Sequence, residues 1–599
     1  VTLLDQVVLI SWLALTMVAG MWFGRAGSKT AEGFFVADRN LPWWMVGTSM
    51  VATTFAADTP LVVSGYVASA GIAANWKWWW LGAAGVLSVY LFSHLWRRSG
   101  VMTDAELTEL RYHGRVATVL RGVKAAWFGV FMNLLTIAWV MAAMRKVMRT
   151  VMPLPEEGWL GIPADGWVVL GLFLLTVVYT SASGLVGVVA TDVMQFSLAM
   201  AGSIMLAVLA WSAVGGLEGM QAGFLTHGLD WEATTALWPA FDGTSDGDFA
   251  QISVLMGVIW WSSKQIDGGG YLAQRLFAAK DDRHAVWAYL WFTVANLCVR
   301  PWPWIIVGLA GMATFGRLED PELYYPRMMT EVLPPGLFGL MLASFFAAFM
   351  STIDSQLNWG ASLVVNDLWL RFVRPDATDA ETMVASRIAV VALAAVGAGA
   401  AFFVDSLGGA WELAFSVTAG LGTVYIARWY WWRTNAWSEV AAMAVAAVGT
   451  FGASALGAMH PANGGQAVWL EAVPAGWFSF PFNAAFIGIV GLPIWVGVTL
   501  LTAPTPRPHL LAFYRLVRPG GAGWAAVAQE EPGFAGDGPT WHTAEGFIAG
   551  TVAVYAALIG TGALLLGRLE LAAGCVVLAL IGGWRAGATL GGVGRVGQP

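Results

Sequence analysis

The stretch SFFAAFMSTIDSQLNWGASLVVNDL, Ser344 to Leu368, is long and apolar enough to cross a bilayer, yet it carries a polar stripe and an ionisable residue. At about 100° per residue, Ser344, Ala348, Ser351, Ser355, Asn358 and Ser362 fall on one helical face. Asp354 then lies roughly 60° to one side of Ser351, and Thr352 roughly 100° to the other. An isolated carboxylate at mid-bilayer costs about 2.5 to 3.5 kcal/mol on insertion scales, so Asp354 is expected to face a protein interior where a cation meets it. A hard cation such as sodium takes oxygen ligands from hydroxyls, carbonyls and carboxylates, and Ser351, Thr352, Asp354 and Ser355 supply them on adjacent turns. A helix packed through small residues with internally bonded hydroxyls would account for the serines but not for Asp354.

The rest of the chain has the same character. Its 599 residues are 58% hydrophobic and 12% charged, with mean hydropathy +0.65, which places it among integral membrane proteins and makes the lipid bilayer its first partner. The net charge of −7 and the lack of any Lys/Arg-rich stretch argue against a nucleic-acid partner. Cys298 and Cys575 both lie in apolar segments, so neither a disulfide framework nor a thiolate metal cluster is indicated. No nucleophile elbow, phosphate loop or metal-ligand set speaks for an enzyme. The apolar run Leu3 to Phe23 lacks a basic n-region and includes Asp5, so it reads as a retained helix rather than a cleaved signal peptide.

Hydrophobic windows predict about fifteen spanning helices, near 4–23, 43–69, 72–95, 116–148, 166–181, 184–214, 249–278, 284–316, 335–370, 383–404, 407–432, 437–458, 480–503, 544–567 and 569–587. Basic residues gather in alternate loops: Arg25, Lys29 and Arg39; Arg97, Arg98, Arg111 and Arg115; Lys280 and Arg283; Arg371 and Arg374. The intervening loop 215–248 holds Glu218, Asp230, Glu232, Asp242, Asp246 and Asp248 with no Lys or Arg, and 459–479 lacks both. By the positive-inside rule the N-terminus is outside and the C-terminus inside a cell (inner) membrane, with Arg145, Lys146 and Arg149 at odds with the pattern.

Residues 43–214 and 249–433 each hold five predicted helices, and an odd repeat inserts the second block upside down relative to the first. Each block opens on an interrupted helix, at Ala57-Asp58-Thr59-Pro60 and at Asp267-Gly268-Gly269-Gly270. Proline and glycine free backbone carbonyls there, tolerable only where protein or an ion satisfies them, so paired breaks point to a binding site. Around the blocks lie an N-terminal helix and loop (1–42), two further helices (434–503), a Pro/Gly-rich cytoplasmic linker (504–543) with a short amphipathic piece near Leu511 to Val517, and two last helices (544–599).

The run FAAFMSTIDSQLNWGASLVVND, Phe346 to Asp367, resembles the signature helix of the sodium/solute symporter family, carriers of sugars, amino acids, vitamins and organic acids. GFFVADRNLPWW (Gly33 to Trp44), SGLVGVVATDVMQ (Ser183 to Gln195) and YLAQRLFAAKD (Tyr271 to Asp281) extend the resemblance. It implies an all-α integral membrane fold, a leucine-transporter-type 5+5 inverted repeat with extra N- and C-terminal helices. It also implies a common sodium ion held by the hydroxyls of Ser351 and Thr352, the carbonyl of Ala348, and two carbonyls of the first core helix near Thr53 and Ala56, in register to one or two residues. Some members hold a second sodium, which here would fall to Asp192, Ser351, Asp354 and Ser355. Asp354 stands where that pattern has a serine, so two carboxylates would converge, and a cation or a proton must separate them.

Lys77, Lys264 and Arg300 lie inside apolar segments, with Asp58 and Asp267 as candidate partners. With Ser262 and Gln265 they fall near positions that contact substrate in the family's sugar carriers, and the gain of cations hints at a carboxylate-bearing solute. The tryptophan clusters Trp76, Trp78, Trp79 and Trp80, and Trp429, Trp431 and Trp432, are expected in interfacial belts. The function expected is sodium-coupled symport of a small organic solute by alternating access. The alternative is a membrane-embedded solute sensor or receptor of the same fold without net transport.

Overall fold

The computed structural model describes all residues except 28–29, 153–154, 156–157, 160–161, 240–247, 405, 535 and 595–599. Lys29, Asp242 and Asp246, used in the loop-charge argument, lie outside the described residues. Among those described, the chain is helical with only isolated bridges of extended backbone. Eleven of the described helices are long and apolar enough to cross a membrane. The windows expected at 43–69, 72–95, 249–278 and 407–432 hold shorter helical pieces instead.

Those interruptions position the site. Helix α1 (Leu3–Gly27) is followed by α2 (Trp43–Thr53) and α3 (Thr59–Ala70), which divide the first broken span. Pro60 sits in the first turn of α3, where a missing N–H costs nothing. After α4 (Asn133–Val151) comes α5 (Ala164–Ala213), one long run kinked at Gly184 (φ 59). A Cβ at Gly184 would stand 2.8 Å from the Phe34 ring, so the kink and the close approach both require glycine. The second break precedes α6 (Tyr271–Phe277), and Gly268 takes φ +70 there with no room for a side chain beside Tyr289.

Helices α7 (Pro301–Phe315) and α8 (Leu337–Ser362) follow. The signature helix α8 is enclosed by protein, with every residue from Met341 to Ser362 buried. It packs on α1, α2, α4 and α5. Its first turn is capped from α1, because Asp5 Oδ1 accepts the Gly336 and Gly339 N–H groups at 2.7 and 2.8 Å. A third broken span is divided into α9 (Leu407–Val417) and α10 (Leu421–Tyr430), and α11 (Ala436–Met459) comes next.

One expectation needs revision. Trp76, Trp78, Trp79, Trp80 and Trp429 do not form a lipid-facing belt; they are buried, with Trp76 packed on Trp238 and Tyr555 at ring-centroid distances of 4.9 and 5.4 Å. Within the 504–543 segment the expected amphipathic piece is a helix that docks on the rest of the molecule. This helix, α12 (Arg507–Val517), buries Leu510, Phe513, Tyr514 and Val517 on one face, and Trp524 stacks on Phe513 while its indole donates to the Trp429 carbonyl at 2.7 Å. The basic residues at odds with the loop pattern are neutralised locally, Arg145 by Asp165 at 3.0 Å and Lys146 by Asp320 at 3.0 Å and by Glu322. Helices α13 (Trp541–Leu565) and α14 (Leu569–Leu590) pair with each other at the end of the chain.

Candidate functional site

Helix α2 ends at Thr53, with the Ala52 carbonyl already accepting the Phe55 N–H at 3.0 Å, and α8 crosses beside its last carbonyls. Ser351 Oγ donates to the Ala52 carbonyl at 3.2 Å and to the Ala348 carbonyl at 3.1 Å. Thr352 Oγ1 donates to the Thr53 carbonyl at 3.0 Å and to the Ala348 carbonyl at 3.3 Å. Two hydroxyls and three carbonyls from two helices therefore converge in a buried spot, an all-oxygen set of the kind hard cations take. The Ala56 carbonyl accepts the Thr59 N–H at 3.2 Å, and among the described residues neither the Ser351 nor the Thr352 hydroxyl donates to it. Ala52, which the sequence did not single out, lies one residue before Thr53 and within the register stated for that segment.

A second polar cluster adjoins the first. Asp192 Oδ2 accepts from Ser49 Oγ at 2.5 Å, Asp354 Oδ2 accepts from the Tyr179 hydroxyl, and the Ser355 and Thr53 hydroxyls are bonded at 2.7 Å. Arg275 from α6 enters the same cluster, fully buried, with Nη2 at 3.8 Å from Asp192 and bonded to Ser355 Oγ, and Nε bonded to Ser49 Oγ at 3.2 Å. Sequence reasoning left open a cation or a proton for these carboxylates, and the structure adds a fixed guanidinium beside Asp192. Two carboxylates against one guanidinium leave the cluster one positive charge or proton short of neutrality. Asp192 Oδ1, Asp354 Oδ1 and both amide atoms of Gln195 have no hydrogen-bond partner among the described residues. Ser351 does not enter this cluster; its hydroxyl is turned to Ala52 and Ala348.

The helix breaks also enclose a cavity of about 240 Å³. Asp58, Lys264, Gln265 and Arg300 line it, whereas Lys77 and Ser262 do not. Lys77 is held by Glu412 at 2.7 Å, and Ser262 is buried against Gly488. Arg300 is committed to the first break, with Nη1 on Thr54 Oγ1 at 2.6 Å and Nη2 on the Thr54 carbonyl at 2.7 Å. It thereby satisfies the carbonyl that the break frees. Asp267 pairs not with Lys77, Lys264 or Arg300 but with Arg428 of α10. Arg428, in turn, lies 3.7 Å from Glu439, which Lys124 holds at 2.9 Å. Sequence reading missed Arg275 and Arg428. Each sits in an apolar helix one or two turns from a polar motif, a signal of the same kind that drew attention to Lys77.

The family model described as Sodium:solute symporter family matches residues 34–446. The chain is 27% identical over 464 residues to the sodium/glucose cotransporter of Vibrio parahaemolyticus, covering 72% of this chain and 81% of that one. It is 26% identical over 426 residues to sodium/myo-inositol cotransporter 2 of Oryctolagus cuniculus, covering 65% of this chain and 60% of that one. In three dimensions it is similar to a Na+-coupled sialic acid symporter solved in a substrate-bound outward-open state, with a TM-score of 0.66 at 19% identity, covering 84% of this chain and 99% of that one. At that identity the likeness is one of fold.

Proposed function

The chain belongs to the Sodium:solute symporter family, and from that membership we propose that it carries a small organic solute across the cell (inner) membrane together with sodium, by alternating access at the helix breaks. It is a multi-pass membrane transporter and not an enzyme. The observation that carries the ion site is the convergence of the Ala52, Thr53 and Ala348 carbonyls with the Ser351 and Thr352 hydroxyls. Sodium held there would tie the end of α2 to α8 and favour an outward-open state. Its loss to the other side would loosen that contact and let the core rock to release solute. Asp192, Asp354 and Ser355 would take a second sodium or a proton, with Arg275 supplying the remaining countercharge.

The finer architecture follows from the same reading. Residues 43–214 and 249–433 are proposed as the two halves of a leucine-transporter-type 5+5 inverted repeat, with the N-terminus outside, the C-terminus inside, and helices at both ends added to it. The paired breaks before α3 and α6 support this. The solute is proposed to bear a carboxylate, met by Lys264 with Gln265 alongside. A solute sensor without net transport would bind but not move it, and family membership favours transport. Uptake of labelled solute into proteoliposomes under an inward sodium gradient tests the reading. Sodium-stimulated binding with no uptake overturns it in favour of the sensor.

A further inference from the structure

Three charged residues line the cavity, and two of them, Asp58 and Lys264, are only partly satisfied. Asp58 is 1% exposed. Its Oδ2 accepts the Trp411 indole N–H at 2.6 Å, and its Oδ1 has no partner among the described residues. Arg300, the nearby cation, spends both terminal nitrogens on Thr54 and on the Val51 carbonyl, keeps an Nε without a partner among the described residues, and makes no bond to Asp58. Lys264 is 9% exposed and donates no hydrogen bond to the described residues. Its ammonium lies 4.0 Å from Asp104 Oδ2 and 3.7 Å from the centre of the Phe128 ring. Lys124, also buried, is engaged in full, with Glu439 at 2.9 Å and Thr108 at 3.1 Å. Burying an incompletely paired charge is costly, so Asp58, with one indole donor, and Lys264, whose only ion partner among the described residues is Asp104 at 4.0 Å, each gain from a countercharge brought in by a ligand.

We propose that the cavity takes a zwitterion, with Asp58 receiving the ammonium group of the solute and Lys264 its carboxylate. This rests on the reading of the cavity as the solute site. A zwitterion satisfies both groups in one binding event, a simple carboxylate satisfies one, and a neutral sugar neither. The walls suit it too. Trp78, Tyr271, Trp359, Trp411 and Phe415 line the same space. Aromatic faces attract an organic ammonium and contribute apolar area to the carbon skeleton between the charges. A volume of about 240 Å³ is below the 300 to 1,000 Å³ or so usual for drug-sized ligands, which limits the solute to a small one.

The test is a sodium-dependent thermal-shift and uptake-competition panel on the purified full-length protein with five probes. These are γ-aminobutyrate and glycine betaine as zwitterions, butyrate as carboxylate alone, choline as cation alone, and glucose as neutral solute. At least one zwitterion should bind about tenfold or more tighter than butyrate and choline, since each charge-assisted contact is worth that much. Asp58→Asn should erase the advantage of that zwitterion over butyrate and leave the sodium half-saturation in place, while Lys264→Gln should erase its advantage over choline. Butyrate binding as tightly as the zwitterions overturns the proposal and leaves the carboxylate reading standing. Glucose as the sole ligand overturns both. An Asp58→Asn variant whose sodium affinity falls equally with every probe makes Asp58 an ion ligand and also overturns it. A protein that responds to none of the five with sodium present, yet is stabilised by some other solute class, overturns it as well. If Asp58→Asn does not fold, the wild-type ranking of the probes alone decides.

Discussion

Asp58 and Asp267 each stand beside a helix break in an apolar segment, and in sequence they look alike. Asp267 is bound on every side. Its carboxylate takes Arg428, the Trp429 indole at 3.2 Å and the Gly269 N–H at 3.1 Å, and its carbonyl takes the Trp96 indole at 2.6 Å. Asp58 has one indole and an oxygen with no partner among the described residues. The two breaks thus differ in what they leave over. At the second, protein groups saturate the aspartate, so the break is locked to α10 as a unit. At the first, Arg300 saturates the backbone and the aspartate remains available to the cavity. A broken helix is therefore a site only where its polar groups are not already consumed by the fold.

The largest effect expected from this contrast is in stability. Asp267→Asn leaves Arg428 with only the more distant Glu439 and should cost about 3 to 5 kcal/mol, the range for removing one partner of a buried pair. Asp58→Asn removes a charge that has an indole donor but no ion pair among the described residues, and should change stability by less than about 1 kcal/mol or raise it. Thermal unfolding in detergent, followed by tryptophan fluorescence, reads both. Equal losses for the two variants would break the comparison.

Next in size is the proposed ion site beside the first break. Ser351→Ala/Thr352→Ala removes two of the five converging oxygens and should raise the sodium concentration for half-maximal uptake about tenfold or more, with the protein still inserted. Unchanged sodium dependence would remove these hydroxyls from the site. Asp192→Asn or Asp354→Asn should instead lower the Hill coefficient for sodium or remove a pH dependence of uptake. If both keep the wild-type stoichiometry and pH profile, the neighbouring cluster is structural. Arg300→Gln should fall between, costing about 1 to 3 kcal/mol of stability because the Thr54 carbonyl loses its donor. A selective loss of solute affinity at unchanged stability would assign Arg300 to the solute instead.

The sequence made the breaks and the Ser351–Thr352 pair readable because both are local. Pro60 and the Gly268–Gly270 run act on their own turn, and adjacent hydroxyls on one buried helix stay adjacent whatever packs against them. Partners were not readable. Arg428 reaches Asp267 across 161 positions and Lys77 reaches Glu412 across 335, and neither hydropathy nor helical periodicity carries information about which buried cation meets which carboxylate. The tryptophan belts failed for a related reason. Composition places aromatic residues at helix ends, but whether lipid or another helix covers them depends on α13, which packs on Trp76 through Tyr555.

The smallest effect sharpens the comparison by setting what an ion pair is worth outside the apolar segments. Glu109 accepts from Arg371 Nε and Nη2 at 2.9 Å and from Arg121 Nη1 at 2.9 Å, with the Thr118 hydroxyl added. Burial pushes its carboxyl up, but hydrogen bonds from Arg371, Thr118 and Arg121 outweigh that and bring it from 4.5 to about 2. A carboxyl lowered in the folded state contributes stability above its unfolded value, and that contribution is lost as pH falls from about 4.5 towards 2. Because Glu109 is partly solvated and Arg371 is exposed, the contribution is screened to less than about 1 kcal/mol. Glu109→Gln should therefore lower the unfolding temperature slightly at neutral pH, and the difference from wild type should vanish near pH 2. A loss as large as that of Asp267→Asn would mean that burial is not what separates the locked break from the rest of the molecule.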